Sequence, residues 1–543
     1  MRGPACLLFP LFCLTASFAP PPLDRRVTEI TVDAAAGRHQ ISPLIYGVSF
    51  ASVDTLVDLN LPLNRAGGNS ASLYNWRNEA RNAGRDWYFE SMAIGPADWA
   101  QYGARFVERT RAGGAAAMVT VPMIGWVAQL APGGGKLPSF SIAKYGWQQA
   151  SENPGFPDAG NGLHSDGSAI TGNEPHDAAL PDTPADQRAW IESLVARWGT
   201  AAHGGVRFYA MDNEPSRWHD IHRDVHPIGL HATEIAQRIL DYSRIVKSVD
   251  PSAKVVAPEE WGWNGYRYSG FDQQIGDAHG YRDLPDRRDQ TGDLDLLPWL
   301  LARLKQTGNP IDIISVHYYP QGGEYREGSD DISPAMQRLR NRSTRSLWDP
   351  GYTDSSWIGD RVALIPRLRG WAKRYYHAGT PLAITEYNWG AEHHMNGATT
   401  QADILGIFGR EDLSMAARWA APARNTPTYL AMKLFRNYDG QRSGFGETSV
   451  TARAPEPDAV STFAALRQSD GALTIIAINK QLDRAAQISI ALSHFASAGT
   501  IEGARLAKGA LAPLVHARYH AATLPAVLPP QSVTLFVLKS DVH

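Results

Sequence analysis

Two short acidic motifs have residue types that suit hydrolytic chemistry, and each follows directly on an apolar run typical of a buried strand. They are Asp212-Asn213-Glu214-Pro215 and Thr385-Glu386-Tyr387-Asn388. Hydrolysis of a glycosidic bond needs one carboxyl group to protonate the leaving oxygen and a second to attack or stabilise the sugar carbon. The pair therefore predicts a glycosidase that uses Glu214 and Glu386. Either motif alone is a weak signal, because Asp-Asn-Glu-Pro also suits a helix start with Asn213 as the cap.

The elements that must position these residues alternate between short apolar runs and longer helix-like stretches. This alternation predicts a parallel α/β architecture, and eight runs predict a (β/α)8 TIM barrel. A doubly wound sheet is the competing fold, but the chain has no glycine-rich turn after its first strand. The eight predicted strands are residues 45–48, 63–65, 117–121, 207–211, 254–257, 311–316, 382–385 and 415–419.

In such a barrel the catalytic groups lie at the carboxyl ends of the strands. Glu214 follows the fourth predicted strand, and Glu386 follows the seventh. Between the strands, apolar residues recur at three- and four-residue spacing, which predicts helices. Examples are residues 184–198, 231–249 and 358–376.

The character of the chain changes after about residue 440. Apolar and polar residues alternate there, with turn signals between the segments, which predicts a second, smaller all-β sandwich domain. Residues 27–32 alternate in the same way, so we expect the N-terminal segment to join the sandwich. The predicted organisation is N-terminal strands over 24–43, a catalytic barrel over 44–439 and a β-sandwich over 440–543.

The N-terminus has the pattern of a secretory signal peptide. Arg2 precedes an apolar stretch, and small residues follow at Ser17 and Ala19. We predict a signal peptide over residues 1–19 and a secreted protein, extracellular or periplasmic. Both cysteines, Cys6 and Cys13, lie in this segment. The mature chain would therefore have no thiol for disulfides, zinc binding or catalysis.

Composition narrows the class of partner. The 543 residues carry a formal net charge of -3, with 20% charged residues and no long basic or acidic block. This balance predicts neither a nucleic-acid partner nor an anionic membrane surface. The 16 Trp and 20 Tyr residues are more informative, because their rings suit the apolar faces and polar edges of sugars.

Further segments carry a resemblance to a known family. Together with the two acidic motifs they resemble glycoside hydrolase family 44, over about residues 40–480. Ala66 departs from the family pattern, which usually has an aromatic residue there. The segments are Asn64-Arg65-Ala66-Gly67-Gly68-Asn69, Tyr74-Asn75-Trp76, His222-Arg223-Asp224-Val225-His226-Pro227, His317-Tyr318-Tyr319-Pro320 and Phe435-Arg436-Asn437-Tyr438-Asp439-Gly440.

The resemblance implies a barrel with a sandwich and an endo-acting hydrolase of β-1,4-glucans. It implies that the enzyme cleaves cellulose derivatives and xyloglucan with retention of configuration. We therefore expect plant cell-wall β-glucan as the partner, no cofactor for the chemistry, and a monomer. A non-catalytic polysaccharide-binding protein and an exo-acting relative, or one that acts on another polysaccharide, are the alternatives.

Roles follow from retaining chemistry, in which the two carboxyl groups lie roughly 5 to 5.5 Å apart. Glu386 would be the ionised nucleophile, with Arg65 and Tyr318 as hydrogen-bond donors to it. Glu214 would be the general acid and then the base that activates water. Asn213 would hold the sugar 2-hydroxyl. The alternatives are that Arg65 is a structural ion-pair partner and that Tyr318 and His317 pack the barrel interior.

Several tryptophans lie in or beside predicted loops that follow strands, so they are candidate platforms for sugar rings; plain core packing is the alternative for each. The candidates are Trp76, Trp126, Trp263, Trp357 and Trp389.

Two other groups of polar residues could bind a metal ion or take part in the site. The family resemblance suggests a structural calcium ion, for which Glu90, Asn173 and Asp177 are candidate oxygen ligands. Glu259 and Glu260, after the fifth strand, rival the catalytic pair but lack a matching motif. We expect them to hydrogen-bond to substrate or to a neighbouring loop.

Overall fold

The computed structural model describes residues 23–95, 102–308, 310–325 and 331–541. The predicted signal peptide, residues 1–19, lies outside the described residues. Within the described ranges, no helix combines the length and the apolar character needed to cross a bilayer.

Strands and helices alternate as far as Arg436, and only strands follow in the described residues beyond it. The strands are β1 (Leu23–Asp33), β2 (His39–Gln40), β3 (Gly47–Ser49), β4 (Leu63–Ala66), β5 (Ala80–Asn82), β6 (Glu90–Ala93), β7 (Ala116–Val121), β8 (Trp126–Ala128), β9 (Leu137–Pro138), β10 (Ser151–Glu152), β11 (Phe156–Gly160), β12 (Ala179–Pro181), β13 (Phe208–Met211), β14 (Lys254–Glu260), β15 (Ile313–Tyr318), β16 (Leu382–Tyr387), β17 (Met415–Arg418), β18 (Thr448–Arg453), β19 (Val460–Leu466), β20 (Leu473–Asn479), β21 (Ala485–Ser493), β22 (Gly499–Ala507), β23 (Ala510–Pro513), β24 (Ala517–Tyr519), β25 (Thr523–Leu528) and β26 (Ser532–Ser540).

The α-helices are α1 (Val53–Asp58), α2 (Gly103–Ala112), α3 (Ile142–Tyr145), α4 (Pro184–Trp198), α5 (Trp218–Ile221), α6 (Ala232–Val249), α7 (Trp263–Arg267), α8 (Gly270–His279), α9 (Pro285–Asp289), α10 (Leu296–Gln306), α11 (Pro334–Ser343), α12 (Leu364–Tyr375), α13 (Met395–Arg410) and α14 (Pro427–Arg436). Short 3-10 helices cover Pro43–Tyr46, Asn69–Leu73, Gly84–Trp87, Pro175–Asp177, Ala201–His203, Pro215–Arg217 and Thr344–Leu347.

Eight parallel strands close into a barrel in chain order. They are β3, β4, β7, β13, β14, β15, β16 and β17. Each of the eight predicted apolar runs corresponds to one of these strands, so the predicted (β/α)8 barrel is confirmed.

The barrel interior is filled by apolar side chains rather than forming a pore. One buried cluster takes residues from seven of the eight strands. It includes Leu63, Met118, Ile313 and Ala383. Because side chains alternate along a strand, residues two positions further on point to the same side. Arg65, Thr385 and other polar residues therefore lie above this apolar layer, at the carboxyl end of the barrel.

The remaining strands form the all-β part of the molecule. Eleven strands make one sheet. Nine of them run from β23 through β22, β26, β20, β19, β18, β1 and β21 to β25, while β2 pairs with β18 and β24 pairs with β22. The N-terminal strand β1 pairs in parallel with β21 and antiparallel with β18. Side chains of β1, β19, β20, β21 and β26 share one buried core, as in a sandwich.

Helix α13 lies between the barrel and the sandwich. Every residue from Met395 to Gly409 is buried, as expected for a helix covered on all sides. Within it, the Asp403 carboxylate accepts hydrogen bonds from Lys480 Nζ of the sandwich and from Thr344 Oγ1, each at 2.7 Å. The barrel and the sandwich are thus joined by a buried ion pair as well as by apolar packing.

The predicted and observed helices differ mainly in their first residues. Residues 184–198 form α4 with the predicted bounds, and α6 begins one residue later than predicted because His231 is its N-cap. The prediction for 358–376 is wrong at its start, since α12 begins at Leu364. Ser356 accepts a hydrogen bond from the Ile358 backbone N–H at 3.3 Å, and such local bonds compete with helix formation.

Candidate active site

The two predicted glutamates meet at the carboxyl end of the barrel. Glu214 follows β13, and Glu386 lies near the end of β16. In the pairing of β15 with β16, Val316 faces Ile384 but His317 faces Glu386, so Thr385 is an extra residue. A bulge of this kind redirects the side chains that follow it, and here it brings Glu386 to the cleft.

Glu214 occupies an unusual backbone position. It precedes the 3-10 helix Pro215–Arg217 and has a left-handed conformation with φ 47°. Its side chain makes no capping hydrogen bond to that helix. The alternative interpretation, that this motif only begins a helix, therefore leaves the Glu214 carboxylate unexplained.

Arg65 lies below the cleft and hydrogen-bonds to residues from three strand ends. It is fully buried, and its Nη1 donates to Glu386 Oε1 at 2.7 Å. Its Nη2 donates to Glu259 Oε2 at 2.9 Å and to Asn213 Oδ1 at 3.1 Å. The charges of Glu386 and Glu259 outweigh the effect of burial and raise the Arg65 pKa above its ordinary value.

The turn after Arg65 requires glycine. A Cβ on Gly67 would lie 2.3 Å from the Arg65 guanidinium carbon, and a Cβ on Gly68 would lie 2.4 Å from the Trp419 ring. Gly68 also has φ +75°, which side chains disfavour. The Arg-Ala-Gly-Gly sequence therefore folds closely over Arg65 and against Trp419.

His317 bridges the carboxylates from β15. Its Nδ1 contacts Glu214 Oε1 at 2.8 Å and Glu386 Oε2 at 3.5 Å, and its Nε2 contacts Glu259 Oε2 at 3.3 Å. Burial alone would lower the His317 pKa, but the Glu386 charge and the hydrogen bonds to Glu214 and Glu259 raise it to about 10. The imidazole is therefore a cation at neutral pH.

The two neighbouring glutamates on β14 differ in protonation. Burial raises the pKa of both, but the charge of Arg65 and the His317 contact bring Glu259 down to about 2. Glu260 has only Ser216 as a hydrogen-bond partner, at 2.5 Å, and burial raises its pKa to about 8. Glu259 is thus ionised and Glu260 neutral at pH 7.

The predicted contact between Tyr318 and Glu386 is wrong. Tyr318 is buried, its hydroxyl donates to Asp354 Oδ2 at 3.4 Å, and its ring packs on Trp389. Tyr319 makes the predicted contact instead, and its hydroxyl donates to Glu386 Oε2 at 3.0 Å. Adjacent residues of a strand point to opposite sides, so the choice between two consecutive tyrosines needed the register.

The Asn213 side chain is held by hydrogen bonds on both sides of its amide. Its Oδ1 accepts from the Gly68 backbone N–H at 3.0 Å as well as from Arg65. Its Nδ2 donates to Asn69 Oδ1 at 3.0 Å. These bonds fix the amide in one orientation beside Glu214.

Above these residues lies a cleft of about 340 Å³. Two polar side chains line it from opposite sides of the barrel: Asp86 from the 3-10 helix Gly84–Trp87, in the connection between barrel strands β4 and β7, and Gln321 from the loop after β15. The cleft is lined by Gly68, Asn69, Asp86, Asn213, Glu214, Arg217, Trp261, Tyr319, Gln321, Glu386 and Trp419.

Of the five tryptophans predicted to bind sugar rings, one lies exposed next to the cleft. The prediction that Trp389 is a sugar platform is wrong, since this residue is 3% exposed and its Nε1 donates to Ser343 Oγ. Trp263 is also buried, and Trp76 and Trp126 pack partly buried against the core, away from the cleft lining. Trp357 is 54% exposed, and its Nε1 donates to Gln321 Oε1 at 3.1 Å, next to the cleft.

Sequence reasoning overlooked Trp261, Trp419 and Tyr319 in the cleft. Trp419 closes the predicted eighth strand and Trp261 follows the fifth, so the signal available was their place at strand ends. Composition alone could not separate them from the buried tryptophans, because both kinds lie close to apolar runs.

The three predicted calcium ligands each have a partner within the protein. Glu90 pairs with Lys136 Nζ at 2.8 Å, and Asp177 pairs with Lys144 Nζ at 2.6 Å. Asn173 Nδ2 donates to the Asp224 carbonyl at 2.8 Å. Each of the two acids thus has a lysine ammonium group beside it, and the calcium site stays a prediction.

One carboxylate cluster does have the spacing of a metal site. Across the described part of the chain, Glu214, His317 and Glu386 alone bring three such ligand atoms together, all within 4.8 Å of one another. The doubly hydrogen-bonded, cationic His317 already neutralises this cluster, and a cationic imidazole has no lone pair to offer a metal.

Comparison with known proteins adds independent evidence. The family model for glycoside hydrolase family 44 matches residues 80–322. Endoglucanase A of Paenibacillus lautus is 33% identical over 474 residues, which cover 83% of this chain and 64% of that protein. The chain thus spans less than two thirds of the length of this relative.

Two solved structures are similar over nearly the whole chain. CelM2, a bifunctional glucanase-xylanase from a metagenome library, is 52% identical, with a TM-score of 0.92 over 95% of this chain and 99% of that one. The Paenibacillus polymyxa xyloglucanase from family 44, solved with xyloglucan, is 27% identical, with a TM-score of 0.77 over 95% of this chain and 100% of that one.

Replacing Glu260 by Gln is expected to alter the pH dependence of stability. A carboxyl group whose pKa is raised on folding, here from 4.5 to about 8, contributes stability below its unfolded pKa and loses it as pH rises through the folded value. Gln stays neutral at every pH. As pH rises through that window, the free energy of unfolding of the variant should therefore increase relative to that of the native chain by up to about 1.4 kcal/mol per pH unit.

Urea unfolding at pH values near both ends of the window measures this difference. Glu192→Gln, on the exposed face of α4, is the control and should show no such trend. A difference between Glu260→Gln and the native chain that stays constant with pH would show that Glu260 is not held neutral.

Proposed function

Since the chain belongs to glycoside hydrolase family 44, we propose that it is an endo-acting hydrolase of β-1,4-glucan chains that retains the anomeric configuration. The observation that carries the mechanism is the placement of Glu214 and Glu386 at the cleft, with a carboxylate oxygen of each within 4.8 Å. This spacing suits double displacement, because inversion needs roughly 6.5 to 9.5 Å to admit a water between the carboxyl groups.

In the first step, a Glu386 oxygen forms a bond to the anomeric carbon while the bond from that carbon to the leaving oxygen breaks. Glu214 gives its proton to the leaving oxygen. Arg65 and Tyr319 donate hydrogen bonds to Glu386, so the nucleophile stays ionised and correctly oriented. Asn213 lies at the cleft, where its fixed amide can hold the sugar 2-hydroxyl.

In the second step, Glu214 is the base. It takes a proton from water, whose oxygen attacks the anomeric carbon and releases Glu386 as a carboxylate. His317 Nδ1 donates to Glu214 Oε1, which leaves Oε2 to carry the proton in the resting enzyme. The cycle ends with Glu214 protonated and Glu386 ionised, as it began.

The cleft chemistry and the relatives together support a polysaccharide substrate. Trp261 and Trp419 line the cleft, and Trp357 stands exposed beside it, so their rings can stack on sugars along a glucan chain. Xyloglucan and cellulose derivatives are the first substrates we propose. The 52% identity to a glucanase-xylanase favours xylan as a second one.

The remaining parts of the proposal concern the whole molecule. We assign catalysis to residues 44–439, and we assign the N-terminal strands over 24–43 and the sandwich over 440–543 a role in capping the barrel. The signal-like residues 1–19 support secretion. We propose that the protein acts as a monomer and that its chemistry uses no metal.

Glu386→Gly with added azide tests the nucleophile. The variant should lose roughly 10⁴-fold or more of its activity, because no covalent intermediate can form. Azide should fill the vacated space, attack an aryl β-cellobioside from the side that Glu386 occupied, and yield the α-glycosyl azide, detected by NMR. Chloride is the control, and it should restore nothing. Native activity in Glu386→Gly would disprove the assignment.

Glu214→Gln tests the acid. Polymers with poor leaving groups should lose roughly 10²- to 10⁴-fold in rate, since their glycosidic oxygen needs the proton. A 2,4-dinitrophenyl β-cellobioside should form its covalent intermediate at nearly the native rate, because its leaving group needs no acid. Burst kinetics measures that step. Equal loss on both kinds of substrate would contradict the role of Glu214.

The mode of attack on the polymer is tested by comparing viscosity with reducing ends. An endo-acting enzyme should cut the viscosity of carboxymethyl cellulose and xyloglucan early, while few reducing ends appear. An exo-acting enzyme would release reducing ends with little loss of viscosity. Binding to glucan without any new reducing ends would indicate a non-catalytic binding protein.

A further inference from the structure

Glu259 lies beneath the cleft without lining it, yet it touches the groups that hold both catalytic carboxylates. It is fully buried, and its Oε2 accepts from Arg65 at 2.9 Å and contacts His317 Nε2 at 3.3 Å. Its Oε1 accepts from Thr385 Oγ1 at 2.9 Å. A residue in this position acts through others and does not touch substrate.

The backbone at Glu259 has an irregular conformation that directs its side chain toward the barrel interior. Along β14, Pro258 pairs with Ser315 and Glu260 with Val316, so Glu259 is the extra residue of a bulge. It has a left-handed φ of 60°, an uncommon conformation for a residue with a side chain. The fold thus accepts a local distortion that places one more carboxylate under the catalytic pair.

We propose that Glu259 is a positioning residue, the permanent counter-ion that sets how many protons the catalytic cluster holds. The catalytic cluster consists of Arg65, His317, Glu214, Glu259 and Glu386. This inference rests on the proposed double displacement.

The charges in the cluster balance at both stages of that reaction. At rest, the cations Arg65 and His317 face ionised Glu259 and Glu386, while Glu214 carries its proton. In the covalent intermediate, Glu386 is a neutral ester and Glu214 has given up its proton. Two positive charges again face two negative ones. Because uncompensated buried charge is costly, this balance favours one proton on Glu214 at rest and none in the intermediate.

Among the described residues, His317 faces the Arg65 guanidinium, whose Nη2 lies 3.3 Å from His317 Nε2, and four carboxyl groups. These carboxyl groups belong to Glu214 after β13, Glu259 and Glu260 on β14, and Glu386 on β16. Burial keeps Glu260 neutral, with a pKa of about 8. Without Glu259, the cluster would carry one excess positive charge at rest.

Glu259→Gln removes that charge and keeps the size of the side chain. The excess positive charge can be relieved in two ways, by loss of the proton from Glu214 or from His317. The first removes the acid, and the second lets His317 Nδ1 accept the proton that Glu214 should give to the leaving group. Both shift the alkaline limb of the kcat/KM profile toward lower pH, by roughly 1 to 3 pH units.

The experiment compares the pH profiles of kcat/KM on xyloglucan for the native chain, Glu259→Gln and Glu260→Gln. The matched control removes the next buried glutamate along β14, which still carries its proton below about pH 8, so its alkaline limb should move far less than that of Glu259→Gln. A purely structural role for Glu259 would lower the rate at every pH without moving the limb. An unmoved limb in Glu259→Gln would therefore overturn the proposal.

A second measurement covers the case in which Glu259→Gln does not fold. In the native chain labelled with ¹⁵N-histidine, the His317 ring nitrogens should both be protonated at about pH 8. A Glu259→Asp variant keeps the charge and should keep this signature. A neutral His317 at that pH in the native chain would overturn the proposal.

These outcomes separate the two levels of inference. A native chain that hydrolyses no β-glucan would disprove the proposed function, whatever the His317 spectrum shows. Hydrolysis by the native chain with an unmoved limb in Glu259→Gln would disprove only the role of Glu259.

Discussion

The structure depends on the burial of two cations, Arg65 and His317, among carboxylates at the end of the barrel. Removing charges from water is unfavourable, and breaking a buried pair commonly destabilises a protein by roughly 3 to 5 kcal/mol. Arg65 is fully buried, with Glu386 at 2.7 Å and Glu259 at 2.9 Å. His317 in turn contacts Glu214 at 2.8 Å and Glu386 at 3.5 Å, so the two cations together fix the proposed nucleophile with respect to the proposed acid.

The rest of the fold supports that arrangement. The apolar layer inside the barrel separates the charges from solvent below, and two bulges, at Thr385 and Glu259, redirect the strand ends above it. The glycine turn after β4 lets the chain close over Arg65. On the far side, the buried helix α13 ties the barrel to the sandwich. Catalytic geometry here is a property of strand ends held by a packed interior rather than of flexible loops.

Sequence patterns predicted the parts of this arrangement that depend on periodicity and on strand ends. All eight barrel strands, the all-β segment and the placement of Glu214 and Glu386 follow from apolar runs and what comes after them. The predictions that are wrong concern residues whose position depends on a one-residue shift in strand register or on burial. Tyr318 and Tyr319 exchange roles because of the strand register, and Trp389 is buried by packing that no local pattern reveals. The calcium site stays a prediction, and sequence did not reveal that lysines pair with its two acids.

The central claim is that Glu214 and Glu386 act as acid and nucleophile in a double displacement, which their oxygen separation within 4.8 Å permits. The stereochemistry of the first product tests this claim most directly. Proton NMR during early hydrolysis of a cello-oligosaccharide resolves the two anomers before they equilibrate. The account predicts that the β-anomer forms first, since two inversions restore the configuration. Initial formation of the α-anomer would contradict it, because a single displacement by water would then be the mechanism.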